Sequence, residues 1–284
     1  MYQGAMILEG GAIRGVFTAG ALDFLLDQKF MIEKVIGASA GASNGLNFVA
    51  GQKGRMLECT VREGDDEEKL IDLKKAIRTG SLFDMDLIYD RDPRENHPFD
   101  FGAFFASPME LEITVTNCLT GEAEYLTERE DEERLMLLAR ASSSIPLAAP
   151  KTVVDGVPYL DGGMADSIPL LHSMREGNRK NVLILTRERG YRKKVSKKSA
   201  ALYQAAFRKY PEMAKCSSLR PLNYNRTLDL VEKWEDEGKV FVIRPQVPTI
   251  SRTESDTEAI KAFHRHGYEE MERRYDEMLK FLEE

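Results

Sequence analysis

A chain of 284 residues with 42% hydrophobic side chains is long enough for one sizeable α/β core and too apolar to stay disordered. Its formal net charge of -7 excludes a general nucleic-acid binder, which needs a basic surface to meet phosphates. Cys59, Cys118 and Cys216 are far apart and have neither metal-ligand spacing nor the even count of a disulfide framework, so they read as free thiols of a reducing compartment.

The first eight residues lack a basic region before their apolar run, and no stretch of 18 apolar residues follows, so the expectation is a cytoplasmic protein without a membrane span. Residues 5–8 form a short apolar run stopped by glycines, a buried strand. Residues 16–30 carry apolar side chains at helical spacing. Residues 34–36 give a second strand, and 40–50 a helix rich in small residues. Two strands joined by a helix in so short a span imply a parallel pair.

Residues 111–118 alternate as a strand, with 124–126 pairing back across a turn at 119–121. Residues 131–140 read as a helix, and 153–154 with 157–160 as a hairpin about Asp155-Gly156. Residues 181–186 and 240–243 are further strands. From Thr253 onward the chain is helical and charged, with Met271, Tyr275, Met278, Leu279 and Leu282 as an inward stripe. Strands mixed with helices throughout define an α/β layered fold, a mostly parallel sheet flanked by helices. Two charged stretches stand out. Residues 62–69 read as a solvated loop or helix start. The basic segment 187–198 reads as a solvated loop and helix face, or as a peripheral contact with anionic membrane head groups.

Three local patterns carry chemistry. Gly10-Gly11-Ala12-Ile13-Arg14-Gly15 lies between a strand and a helix, where backbone N–H groups and the helix dipole attract negative charge. A phosphate-loop reading fails because Val16 and Phe17 replace Lys and Ser/Thr. A dinucleotide reading fails because Ala12 replaces the required glycine. Gly37-Ala38-Ser39-Ala40-Gly41 is a G-x-S-x-G directly after a strand, the setting of a nucleophile elbow. Gly41-Ala42-Ser43-Asn44-Gly45 matches too, but Ser43 falls one turn into the helix, where no elbow forms. Asp161-Gly162-Gly163 ends a strand with a carboxylate on a tight turn, able to take a serine proton directly. His97, His172, His264 and His266 have no distinctive setting and read as surface or packing residues.

In this order the three patterns resemble the patatin-like phospholipase family, together with the serine-rich, proline-containing stretch 141–146 and the small residues through Asn44-Gly45. The resemblance covers about residues 5–185, with 186–284 expected to complete the same single domain. It implies a Ser–Asp dyad of Ser39 as nucleophile and Asp161 as base. It also implies an oxyanion hole from the loop Gly10, Gly11, Ala12, Arg14 and Gly15, with N–H groups around Gly11 and Ala12 as donors and Arg14 fixing the loop. Gly37, Gly41, Gly162 and Gly163 would support the elbow and the base turn. The family loop usually has three consecutive glycines; Ala12 departs from it but still supplies an N–H. The implied activity is hydrolysis of lipid acyl esters, with no metal and no organic cofactor. Two rivals are a catalytically silent binder of an acidic ligand and a membrane-surface adaptor driven by residues 187–198. The charged stretch 62–101, inserted between elbow and next strand, is a candidate cap over the site.

Overall fold

The computed structural model describes residues 1–62, 70 and 80–284. Most of the stretch expected as a solvated loop at 62–69 therefore lies outside the described residues, as does part of the candidate cap.

The chain opens with β1 (Tyr2–Leu8), α1 (Val16–Asp27), β2 (Ile32–Ala38) and α2 (Ala40–Val49). The first helix stops at Asp27, short of residue 30, because Lys29 takes a left-handed φ of 53° and turns the chain toward β2. Then come α3 (Arg55–Val61), a wide-turn helical segment Leu87–Asn96 and α4 (Phe101–Ala106). Next are β3 (Glu110–Asn117), β4 (Ala123–Leu126), α5 (Glu132–Ser142), β5 (Thr152–Val154), β6 (Val157–Asp161) and α6 (Leu170–Arg175). The last elements are β7 (Asn181–Ile184), α7 (Lys197–Ala206), α8 (Pro211–Asp236), β8 (Phe241–Ile243) and α9 (Thr257–Glu283). Asp256 caps α9, accepting the N–H groups of Glu258 and Ala259 at 2.9 and 3.2 Å, which starts the helix there rather than at Thr253.

The strands form one sheet in the order β5-β6-β3-β2-β1-β7-β8, with β4 paired to β3. The run β3-β2-β1-β7-β8 is parallel, and β4, β5 and β6 join by antiparallel pairs. β1 lies in the middle, so Ala5, Met6, Ile7 and Leu8 are all fully buried. Alternation along the strand sends Met6 and Leu8 to the layer of α1 and α9, and Ala5 and Ile7 to the layer of α8. α9 rests on α1 through Phe17–Phe263 and Phe24–Tyr268 ring contacts, centroids 5.5 and 5.3 Å apart. The two backbones touch at Gly20, where a Cβ would stand 1.9 Å from the His264 carbonyl oxygen. The stripe of α9 faces inward as expected, with Met271, Met278 and Leu282 buried. No helix among the described residues is long and apolar enough to cross a membrane.

This arrangement sets the site. Parallel β1 and β2 end side by side, so the loop after β1 and the turn after β2 meet at the carboxyl edge of the sheet. Antiparallel β6 runs the other way along β3, pairing Asp161 with Val115. The third sequence pattern thereby reaches the same place.

Candidate active site

β2 delivers the chain into Ser39, which has φ 56° and ψ -125° and caps α2. A positive φ on a non-glycine residue costs about 1–2 kcal/mol, so neighbours must hold it. The Ser39 N–H donates to Ser142 Oγ at 2.8 Å, and Ser142 Oγ donates to the Thr114 carbonyl at 2.7 Å. The turn also needs room: a Cβ on Gly41 would lie 2.2 Å from the Leu8 carbonyl oxygen, so only glycine lets α2 start this close to β1. Ser39 is buried, 5% exposed, and its hydroxyl donates to Asp161 Oδ2 at 2.7 Å.

Asp161 closes β6. Its Oδ1 accepts the Gly163 N–H at 2.8 Å, its own N–H donates to Ser144 O at 2.9 Å, and its carbonyl accepts Thr116 Oγ1 at 2.9 Å. Burial pushes its carboxyl pKa up, while the charge of Arg220, the Ser39 hydroxyl and the Gly163 N–H pull the other way. Arg220 Nε also donates to Gly163 O at 2.5 Å, tying the turn to α8. The serine-rich stretch thus clamps both partners, Ser142 on Ser39 and Ser144 on Asp161.

The glycine loop follows β1. Ala12 takes φ 52°, where the family usually has glycine, and begins a short helical turn, Ala12–Gly15. Asn44 Nδ2 holds the Gly15 carbonyl at 3.0 Å, and Thr186 Oγ1 holds that of Gly10 at 3.2 Å. Arg14 is buried and its Nε has no hydrogen-bond partner among the described residues. Burial and the neighbouring Arg187 lower its pKa to about 10. Arg14 also lines one of the cavities at the site.

Two cavities meet at Ser39, Ala12 and Ile145. One, of about 950 Å³ including its mouth, is lined by apolar side chains such as Leu46, Met56, Met85, Ile88, Phe99 and Met136. The described part of the candidate cap supplies several of these. The other is polar, lined by Arg14, Arg187, Lys193, Arg220, Arg252 and Glu9. Ser43 sits inside α2, in the apolar cavity, 3.1 Å from the Tyr89 hydroxyl, which in turn donates to Ser143 Oγ at 2.5 Å. Burial raises the pKa of Tyr89. Among the described residues Ser43 has no carboxylate hydrogen-bond partner.

Among the described residues no histidine lines either cavity. His172 stacks on Tyr125, centroids 3.5 Å apart, and bonds Glu112 at 2.7 Å. His264 bonds Asp23 at 2.9 Å, and His266 accepts the Gln246 N–H at 3.0 Å. The basic segment 187–198 is split. Arg189 pairs with Asp236 and Glu235, and Arg192 with Asp229 and Glu232, all on α8, whereas Arg187 and Lys193 turn to the polar cavity. Sequence reasoning brought together Ser39, Asp161 and the glycine loop. It did not find Ser142, Tyr89, or the cations of the polar cavity. The serine run holds Ser142 and the basic run holds Arg187 and Lys193, but neither run named a role, and no pattern pointed to Tyr89, Arg220 or Arg252.

A family model described as patatin-like phospholipase matches residues 6–173, and a second, for a domain of unknown function (DUF6363), matches residues 210–283. The chain is similar to the uncharacterized protein YjjU of Escherichia coli strain K12, with 27% identity over 268 residues, covering 86% of this chain and 69% of that protein. It is also similar to the crystal structure of VipD from Legionella pneumophila, with a TM-score of 0.48 and 15% identity, over 97% of this chain and 67% of that one. With more than half its length matched by the family model, and with the mixed α/β sheet described above, this chain belongs to the patatin-like phospholipase family.

Proposed function

We propose that the protein is a serine acyl-ester hydrolase acting on lipid esters, with Ser39 as nucleophile and Asp161 as its base. The observation that carries this reading is the 2.7 Å hydrogen bond from the Ser39 hydroxyl, on a strained elbow, to a buried carboxylate. Family membership supports hydrolysis of lipid esters as the broad class.

The reaction runs in two balanced steps. Asp161 takes the Ser39 proton as Oγ bonds to the ester carbonyl carbon. The bond to the alcohol oxygen breaks, and that oxygen leaves with the proton from Asp161. Water then attacks acyl-Ser39, giving its proton to Asp161, and the free acid departs as Ser39 recovers a proton. The developing oxyanion lies against the loop after β1, whose N–H groups around Gly11 and Ala12 are the donors. Each such donor is worth about 2.7–4 kcal/mol in the transition state. The acyl chain occupies the apolar cavity and the leaving alcohol the polar one, because Ser39 stands between them.

The test is labelling with a fluorophosphonate and mapping of the modified residue by mass spectrometry. Labelling at Ser39 that persists in Ser43→Ala and falls sharply in Asp161→Asn is expected. An unlabelled, folded wild-type protein sinks the hydrolase reading and favours a silent ligand-binding module.

A further inference from the structure

Arg14, Arg187, Lys193, Arg220 and Arg252 come from four separate stretches of chain, yet they line one cavity beside Ser39. None of the five has a carboxylate ion-pair partner among the described residues, while Arg189 and Arg192 of the same basic segment are fully matched on α8. Glu9, an acid of the same cavity, is already engaged. Its Oε2 accepts the Thr186 N–H at 2.7 Å and hydroxyl at 3.1 Å, and its Oε1 accepts the Tyr224 hydroxyl at 2.6 Å.

The cations are placed rather than loose. The Lys193 backbone exchanges hydrogen bonds with the Asn225 side chain at 2.8 and 3.0 Å, and its Nζ stands 3.3 Å over the Tyr224 ring. Arg187 stacks on Tyr191 at 4.2 Å and donates to Thr249 at 2.5 Å. Burial, and then the charge of Arg220, push the Lys193 ammonium well below its usual pKa, with Glu9 pulling the other way.

We propose that this cavity binds a phosphate monoester on the alcohol portion of the substrate. The preferred ester is then one whose leaving alcohol carries a terminal phosphate rather than a choline-masked one. This rests on the hydrolase reading of Ser39. A dianion with three acceptor oxygens satisfies several convergent donors at once. A choline cation meets like charge there, and both nearby carboxylates, Glu9 and Asp161, are occupied.

Two measurements test it. Ser39→Ala protein is titrated calorimetrically with sn-glycerol 3-phosphate, glycerophosphocholine and inorganic phosphate. Separately, kcat/KM is measured for 1-oleoyl lysophosphatidate and 1-oleoyl lysophosphatidylcholine. Wild-type protein should favour the phosphate monoester about tenfold or more, as expected for a charge-assisted hydrogen bond gained. The double variant Lys193→Gln/Arg252→Gln should lose that preference, and Arg189→Gln should keep it. Fluorophosphonate labelling of Ser39 in the double variant and in Arg189→Gln reports a folded site. Equal binding of the two glycerol compounds, or an unmoved preference in the double variant, overturns the proposal. So does binding of inorganic phosphate with no preference between the two lysolipids, which would mark a free-anion site. Glycerol 3-phosphate binding retained without hydrolysis of any ester overturns the hydrolase reading alone.

Discussion

Ser142 reaches Ser39 across 103 residues of sequence: its hydroxyl oxygen accepts the Ser39 N–H at 2.8 Å while donating to Thr114 on the neighbouring strand. One side chain thus ties the elbow to the end of α5 and to β3. Ser142→Ala should strand a buried N–H and lose a partner for a buried carbonyl, each worth about 1–3 kcal/mol when left unmade. The expected loss is about 2 kcal/mol in denaturant unfolding, with ester turnover falling about tenfold as Ser39 leaves its angle. Unchanged stability would show that water replaces the hydroxyl.

Asp161→Asn should lower kcat by about 10²–10⁴-fold, the usual worth of a positioned base. The same change should raise Tm at neutral pH. A carboxyl whose folded pKa is raised contributes its stability below the unfolded pKa and loses it as pH climbs through the folded one. Above the unfolded pKa, a range that includes pH 7, the buried Asp161 is therefore a cost that asparagine lacks, and the Tm gap should close on acidification. The acid limb of the wild-type pH–rate profile should lie above the ordinary aspartate range for the same reason. A variant less stable than wild type at pH 7 would contradict this account.

Ala12→Gly restores the residue that suits φ 52°. Removal of left-handed strain should stabilise the fold by about 1 kcal/mol, partly offset by the extra freedom of glycine in the unfolded chain. The N–H is retained, so turnover should change less than threefold. Ala12→Val, branched at a left-handed position, should lower both stability and turnover, read by denaturant midpoint and ester assay.

Tyr224→Phe deprives Glu9 of its partner on α8. A buried carboxylate that loses such a hydrogen bond should cost about 1.5–3 kcal/mol. A midpoint shift near zero would mean that Thr186 alone satisfies Glu9.

Local pattern carried much of this molecule into view. Four parallel strands announce themselves as short apolar runs, and both hairpins through Gly121 and Gly156 sit where their turn residues put them. The meeting of Ser39, Asp161 and the glycine loop is legible because a strained strand-to-helix turn, a tight turn after a strand and a glycine-rich connection each need small residues at fixed offsets. The polar cavity is not legible, since no offset links Arg14, Lys193, Arg220 and Arg252. Whether a basic run looks outward or inward depends on what lies opposite. Arg189 and Arg192 meet acids of α8, and Lys193, only a residue beyond, does not. Nor could a serine run reveal that Ser142 would grip a backbone 103 residues away.

The central place of β1 has a consequence for synthesis. Its neighbour β2 emerges soon after it, but β7 pairs Ala5 with Asn181 and arrives only after more than half the chain. Glu9, at the end of β1, waits longer still for Thr186 and Tyr224. A nascent chain therefore carries an open apolar edge on β1 until residues 181–184 have emerged, the condition in which β-rich intermediates aggregate. Holdase binding during that interval, and insolubility of fragments ending before Tyr224, are the behaviour this topology entails.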